Sequence, residues 1–208
     1  GQIMKKLIVF AAAILFASGL FGQIAGTAHD FSGDTWNSTG EICIVCHTPH
    51  NADPYGDGIT DAPLWNHDAD MTTSYTLYTS STLQATPGQP SGVSKLCLSC
   101  HDGVIAIDSF GGATGTAGPI TGTALVDTDL SNDHPVSFTY NATLPADPEL
   151  FDPTTTNTSL GDTIQNDLLD GGATMECSSC HDVHGTGNTA LLKIENTGSA
   201  LCLTCHDK

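Results

Sequence analysis

The chain has 208 residues and a formal net charge of −18 at pH 7, because 23 Asp and Glu residues face only 5 Lys and no Arg. This length allows one domain or two small ones. A surface this acidic excludes nucleic acid and anionic lipid as partners and favours cationic ones, although a merely solvated acidic surface explains the charge equally well.

The first 28 residues are typical of a secretory signal peptide. Two lysines near the start precede an uncharged apolar run, Leu7–Phe21, and small residues follow it. Gly26 and Ala28 suit the −3 and −1 positions of a cleavage site. The sequence therefore predicts a leader at 1–28 and an exported domain at 29–208. The alternative is an uncleaved N-terminal anchor.

Beyond the leader, the chain is rich in Gly, Thr, Ser, Asp and Pro and shows no heptads and no sustained 3.6-residue period. Ser81–Gly92 and Gly111–Asp127 are typical of loops. A chain with so few large apolar side chains buries only a thin core of its own. Something else must supply apolar mass and hold these loops.

All eight cysteines fall in C-x-x-C pairs, and a histidine follows each pair directly. We number these motifs in chain order: motif 1 (43–47), motif 2 (97–101), motif 3 (177–181) and motif 4 (202–206). Two thiols at this spacing can add across the two vinyl groups of a haem, and the next residue then presents its imidazole to the iron. The sequence predicts four haem c groups, attached at Cys43, Cys46, Cys97, Cys100, Cys177, Cys180, Cys202 and Cys205 and ligated by the proximal histidines His47, His101, His181 and His206.

Three other uses of these cysteines are weaker. Zinc could take the four cysteines of motifs 3 and 4, whose gap is close to zinc-ribbon spacing, but the histidine after every motif would then be unexplained. Structural disulfides are the usual fate of an even cysteine count in an exported chain, but bridges within four separate C-x-x-C pairs make an odd framework. A thioredoxin-like redox pair needs a βαβ context that the sequence lacks.

Five histidines outside the motifs are candidates for the second axial ligand: His29, His50, His67, His134 and His184. They are enough for every iron to be bis-histidine, with one to spare. The methionines beyond the leader are Met71 and Met175, and Met175 stands too close to Cys177 to reach round that haem. Either His29, which would be the first residue after cleavage, or one of the others is not a ligand.

His50 and His184 each follow a motif histidine by three positions. Residues three apart on a helical turn project from the same side, whereas two axial ligands of one iron must face each other across the porphyrin. His50 and His184 therefore cannot complete the haems of His47 and His181. Each must reach a different iron, which brings the haems close together, as electron hopping requires.

Distal candidates outnumber irons, whereas haem enzymes that act on small molecules keep one coordination site open. The sequence thus predicts an electron carrier rather than a catalyst, with low potentials because methionine ligation is absent. A small reductase with one five-coordinate haem and a haem-stapled structural protein are the alternatives. The predicted fold class is a mostly irregular chain with few short strands and a short helix at each motif, one capped by Ser199, wrapped around a stacked haem chain.

Six segments carry a family resemblance: HDFSGDTWNSTGEICIVCHTPHN, APLWNH, GVSKLCLSCHDG, SNDHPVSF, MECSSCHDVHG and LCLTCHDK. They resemble the extracellular multihaem cytochromes of metal-reducing bacteria, in particular the tetrahaem OmcE-like filament group. The resemblance implies subunits that polymerise into a conducting filament, in which one haem takes its distal histidine from the adjacent subunit. The matching position here is His50, which would reach the haem on His206 of the next subunit.

The resemblance also implies an extracellular or cell-surface location and three kinds of partner. These are further copies of the chain, redox partner cytochromes, and extracellular electron acceptors. A monomeric periplasmic or outer-surface tetrahaem shuttle is the alternative.

Overall fold

The structure is a computed structural model, and it describes residues 24–49, 52, 64–69, 74–144, 149–185 and 187–208. Most of the predicted leader, His50 and Met71 lie outside the described residues. Within the described ranges, no helix is long and apolar enough to cross a membrane.

Regular secondary structure is sparse, which confirms the predicted fold class of an irregular chain with short helices and few strands. The described residues form four α-helices: α1 (Gly92–His101), α2 (Ile164–Asp167), α3 (Cys177–Cys180) and α4 (Cys202–Cys205). Short 3₁₀ turns stand at Phe31–Gly33, Gly122–Ala124, Leu130–Asn132, Thr189–Leu191 and Thr197–Ser199. Strands β1 (Phe138–Thr139) and β2 (Thr174–Met175) pair antiparallel, with Phe138 opposite Met175.

The core is small, as the composition predicts. One cluster of buried apolar side chains lies behind motifs 3 and 4, and Cys180 and Cys205 pack against its edge. Its members are Tyr140, Ile164, Leu168, Leu169, Met175, Ile194 and Leu201. The Tyr140 hydroxyl donates to the carbonyl of Phe151 at 2.6 Å, so the largest buried ring also has its polar atom satisfied.

The motifs fold into single turns rather than into longer helices, except for motif 2, which ends α1. Motif 1 is not helical, contrary to the prediction of a helix at each motif. It keeps only one α-type bond, from the His47 amide to the Cys43 carbonyl at 2.8 Å. The prediction that Ser199 caps the last helix is also wrong, because Ser199 lies in a 3₁₀ turn with φ 65° and Leu201 precedes α4 instead.

Candidate haem sites

The turn within each motif directs the two thiols and the imidazole. In motifs 1, 3 and 4, the amide of the motif histidine donates to the carbonyl of the first cysteine, at 2.8 Å in motif 1 and 3.0 Å in the other two. This bond closes one helical turn over the C-x-x-C-H sequence. The two cysteine side chains and the histidine therefore leave the backbone from a compact unit that can grip one porphyrin edge.

Cysteines of successive motifs lie beside one another, and no disulfide joins any of the eight, all of which are within the described ranges. Cys97 of motif 2 and Cys177 of motif 3 share a hydrogen bond across the packed helices α1 and α3. This bond raises the pKa of Cys97 and lowers that of Cys177. The thiols of motifs 2 and 3 therefore meet at the contact between their helices.

Cysteines of motifs 1 and 2, and cysteines of motifs 3 and 4, also lie close to each other. Burial raises the pKa of Cys100 to about 12, and Cys46 of motif 1 is close enough to raise it further. Burial also raises the pKa of Cys205 to about 12, and Cys180 of motif 3 is close enough to raise it further. Each motif thus has a cysteine close to a cysteine of the next motif along the chain, from motif 1 to motif 4.

Three pairs of histidine rings face each other, and each pair joins one motif histidine to one histidine from outside the motifs. No histidine belongs to two of these pairs. The pairs are His47 with His184 (centroids 6.3 Å apart, planes at 17°), His101 with His29 (6.1 Å, 89°) and His206 with His134 (6.4 Å, 77°).

These separations fit an iron atom between the rings. A first-row metal binds an imidazole nitrogen at about 2.0–2.1 Å, and the ring centre lies about 1.1 Å behind that nitrogen, so two rings on one metal have centres about 6.2 Å apart. Ordinary aromatic contacts span 4.5–7 Å, so the distance alone has little weight. These contacts differ from ordinary aromatic contacts because each joins one motif histidine to one histidine from outside the motifs. This pairing is compatible with a haem iron between the two rings of each pair.

Four histidines also have a ring nitrogen held by the backbone. In each, Nδ1–H donates to a main-chain carbonyl and leaves Nε2 without its proton. Ligand histidines in metalloproteins are commonly oriented this way, because the bond fixes the tautomer and the ring angle. The bonds run from His67 to Asp68 (2.9 Å), His101 to Ala124 (2.6 Å), His134 to Pro135 (2.9 Å) and His181 to Ala190 (2.9 Å).

The surroundings of two of these rings, His29 and His206, favour the neutral imidazole, which is the form that binds a metal. Burial lowers the pKa of His29, and His101 and His181 lower it further. Burial likewise lowers the pKa of His206, and the facing His134 adds to this effect. At neutral pH these two rings are therefore uncharged imidazoles.

His67 differs from the other candidates. Its side chain is 0% exposed, whereas His134, His181 and His184 are exposed. Its Nε2 atom lies 3.5 Å from the Cys100 sulfur, so both ring nitrogens are engaged within the protein. Burial lowers its pKa, as expected for a neutral core histidine.

His181 is the one motif histidine that faces no second histidine ring at iron-bridging distance within the described part of the chain. His50, the remaining candidate, lies outside the described residues. Within those residues, no group of three or more His, Cys, Asp or Glu side chains is arranged to hold a metal ion directly.

Sequence reasoning missed one polar cluster beside the motifs. Glu176, just before motif 3, is 3% exposed and contacts Ser94 and Ser137. The one available signal was the Glu-x-x-Ser spacing of 176–179, which here forms a capping box at the start of α3. That spacing indicates a helix start but not the burial of the carboxyl.

Comparison with known proteins agrees with these geometric features. The family model for the doubled CXXCH motif matches residues 171–208, which contain motifs 3 and 4. A comparison with curated proteins found no match to the chain. The match and the four motifs support a multihaem c-type cytochrome, that is, a protein that binds haem c and transfers electrons.

Proposed function

We propose that this protein is an exported tetrahaem electron carrier, with one haem c on each motif and two histidines on each iron. The observation that carries the proposal is the set of three facing histidine pairs, whose centroids are 6.1 to 6.4 Å apart. When bound, each haem would carry one electron through its ferric and ferrous states. The protein's own residues tether the haems and orient the imidazoles.

The facing pairs give the proposed ligand sets, with each haem numbered as its motif. Haem 1 takes His47 and His184, haem 2 takes His101 and His29, and haem 4 takes His206 and His134. We keep His67 out of the set because its side chain is fully buried against Cys100 and, within the described part of the chain, its ring faces no motif histidine. Haem 3, held by His181, then takes His50.

The proximity of cysteines from successive motifs supports an electron route through consecutive haems. Cys46 lies near Cys100, and the thiol groups of Cys97 and Cys177 are within hydrogen-bonding reach of each other. Haems attached to motifs 1, 2 and 3 would therefore be neighbours. Cys180 and Cys205 extend the series to motif 4. A route of this kind needs no acid or base residue, only short distances between successive haems.

We further propose that the chain polymerises into an extracellular filament and that His50 completes haem 3 of the neighbouring subunit. The family resemblance suggests this arrangement, with the haem on His206 as the target of His50. Because His206 already faces His134 at 6.4 Å, haem 3 is the better target. Redox partner cytochromes would load the filament, and extracellular acceptors would receive its electrons.

One observation favours a second function. Since no described histidine faces His181 at iron-bridging distance, haem 3 could instead be five-coordinate and act as the site of a small reductase. A high-spin ferric signal in the wild-type protein as secreted would support the reductase.

Potentiometric titration of the purified protein tests the electron-carrier proposal. We expect four low-spin haems with low midpoint potentials, because bis-histidine iron lacks the methionine ligand that raises the potential. Haems that titrate only at high potential would contradict the assignment of histidine to both axial positions.

Substitution of His50 tests the filament. In His50→Ala, we expect four haems still attached but one of them high-spin, and no filaments in electron micrographs of secreted material. The matched control is His67→Asn, which removes an imidazole that we keep off the iron and should leave spin state and assembly unchanged. Normal filaments from His50→Ala would contradict the proposed role of His50 in assembly. A high-spin haem in His67→Asn would show that His67, rather than His50, is an iron ligand.

A further inference from the structure

Glu176 is a buried carboxyl group that haem attachment does not use. Its side chain is 3% exposed, and its Oε2 atom accepts hydrogen bonds from the hydroxyls of Ser94 and Ser137, the second at 3.0 Å. Its own amide donates to the Ser179 hydroxyl at 2.9 Å. The group is therefore held in one position by three different segments of the chain.

This position lies between two haem motifs. Ser94 belongs to α1, one turn before Cys97 of motif 2, and its hydroxyl oxygen also accepts the amide of Cys177 of motif 3 at 3.0 Å. Helices α1 and α3 pack against each other around this bond. Glu176 is thus adjacent to the attachment points of haem 2 and haem 3 at once.

The charges around Glu176 are unfavourable to a carboxylate. Burial raises its pKa most, the hydroxyls of Ser94 and Ser137 lower it, and the negative charge of Asp170 raises it again. Cys97 and Cys177 also face it, but they become uncharged thioethers once haem is attached. Among the described residues, no basic side chain forms an ion pair with Glu176.

We propose that Glu176 takes up one proton when haem 2 or haem 3 is reduced and releases it when that haem is oxidised. The proposal rests on the proposed electron-carrier function. The electron comes from a reduced redox partner and converts one ferric iron to ferrous. The proton comes from water and converts the carboxylate to the carboxylic acid. The net charge of the haem pair and its carboxyl is then the same before and after reduction.

The physical reason is the cost of adjacent negative charge away from water. Reduction adds one negative charge to a haem, and its repulsion of a buried carboxylate is much less screened than at the surface. Protonation removes that repulsion. The reduced protein therefore binds the proton more tightly than the oxidised protein, so the midpoint potential of the coupled haem must fall as pH rises.

Spectropotentiometric titration of the holoprotein over a range of pH tests the proposal. In the wild type, we expect at least one midpoint potential to fall as pH rises. Glu176→Gln keeps an acceptor oxygen for the serine hydroxyls and should remove most of that slope. The matched control is Glu195→Gln, which neutralises an exposed acid near motif 4 and should leave the slope in place.

A second measurement needs no variant. The reduced-minus-oxidised infrared difference spectrum of the wild type should contain a protonated carboxyl band that shifts when glutamate is carbon-13 labelled. An equal pH slope in wild type and Glu176→Gln, or the absence of a glutamate band, would overturn the proposal. Failure of the electron-carrier proposal would be distinguishable from failure of the Glu176 proposal, because haem would then be missing or would not be redox-active.

Discussion

Replacing both Cys177 and Cys180 with alanine is expected to yield a chain with one haem fewer and a much less stable fold. Motif 3 contacts two other parts of the chain, since its helix α3 packs against α1 and Cys180 packs against the core cluster. The core is too small to compensate for losing a tethered haem. We expect the free energy of unfolding to fall by about 2–5 kcal/mol, the range for a lost covalent cross-link.

The measurement is haem content by pyridine haemochrome, together with urea unfolding followed by circular dichroism. Ser178→Ala is the matched control, because Ser178 lies between the two cysteines and its loss leaves both thioethers in place. An unchanged haem content in the double variant would show that motif 3 does not attach haem.

Replacing His184 with alanine is expected to open the iron of haem 1, although His184 stands three residues after the proximal ligand of haem 3. Its ring faces His47 at 6.3 Å, so the lost ligand belongs to motif 1. One haem should become high-spin and bind external ligands such as carbon monoxide, while all four remain attached.

Electron paramagnetic resonance identifies the affected haem. The planes of His47 and His184 lie at 17°, whereas the pairs at motifs 2 and 4 lie at 89° and 77°. The angle between the two imidazole planes sets the anisotropy of a low-spin ferric signal, so the least anisotropic signal of these three haems should disappear. Loss of a strongly anisotropic signal instead would contradict the pairing.

His184→Met is the companion variant. A thioether can replace the imidazole as sixth ligand, so the iron should stay low-spin and its midpoint potential should rise. An unchanged set of four potentials would show that residue 184 does not reach an iron.

The motifs and the irregular fold could be predicted from the sequence because both depend on local information. The spacing of Cys and His defines the attachment chemistry, and a chain rich in Gly, Thr and Pro has few ways to form long helices. The three-residue offset of His184 from His181 also led to the expectation that His184 serves another motif, and its ring does face His47.

The remaining features depend on tertiary contacts that spacing does not record. The sequence left open whether His29 is a ligand or an ordinary residue after a cleavage site, whereas in the fold its ring faces His101 at 6.1 Å. The sequence does not indicate that His67 is fully buried against Cys100, and its candidacy as a distal ligand stays a prediction. Ser199 has the side chain of a good helix cap, but it lies in a 3₁₀ turn with φ 65°, and Leu201 is the residue that precedes α4. The burial of Glu176 likewise follows from the packing of α1 on α3.

The number of covalently bound haems per chain is the most direct test of the account. Intact-mass spectrometry of the secreted protein, paired with a pyridine haemochrome assay, should give four haems per chain and no cysteine that can be alkylated. A smaller number, with reactive thiols remaining at any motif, would contradict the claim that all four C-x-x-C-H motifs hold haem.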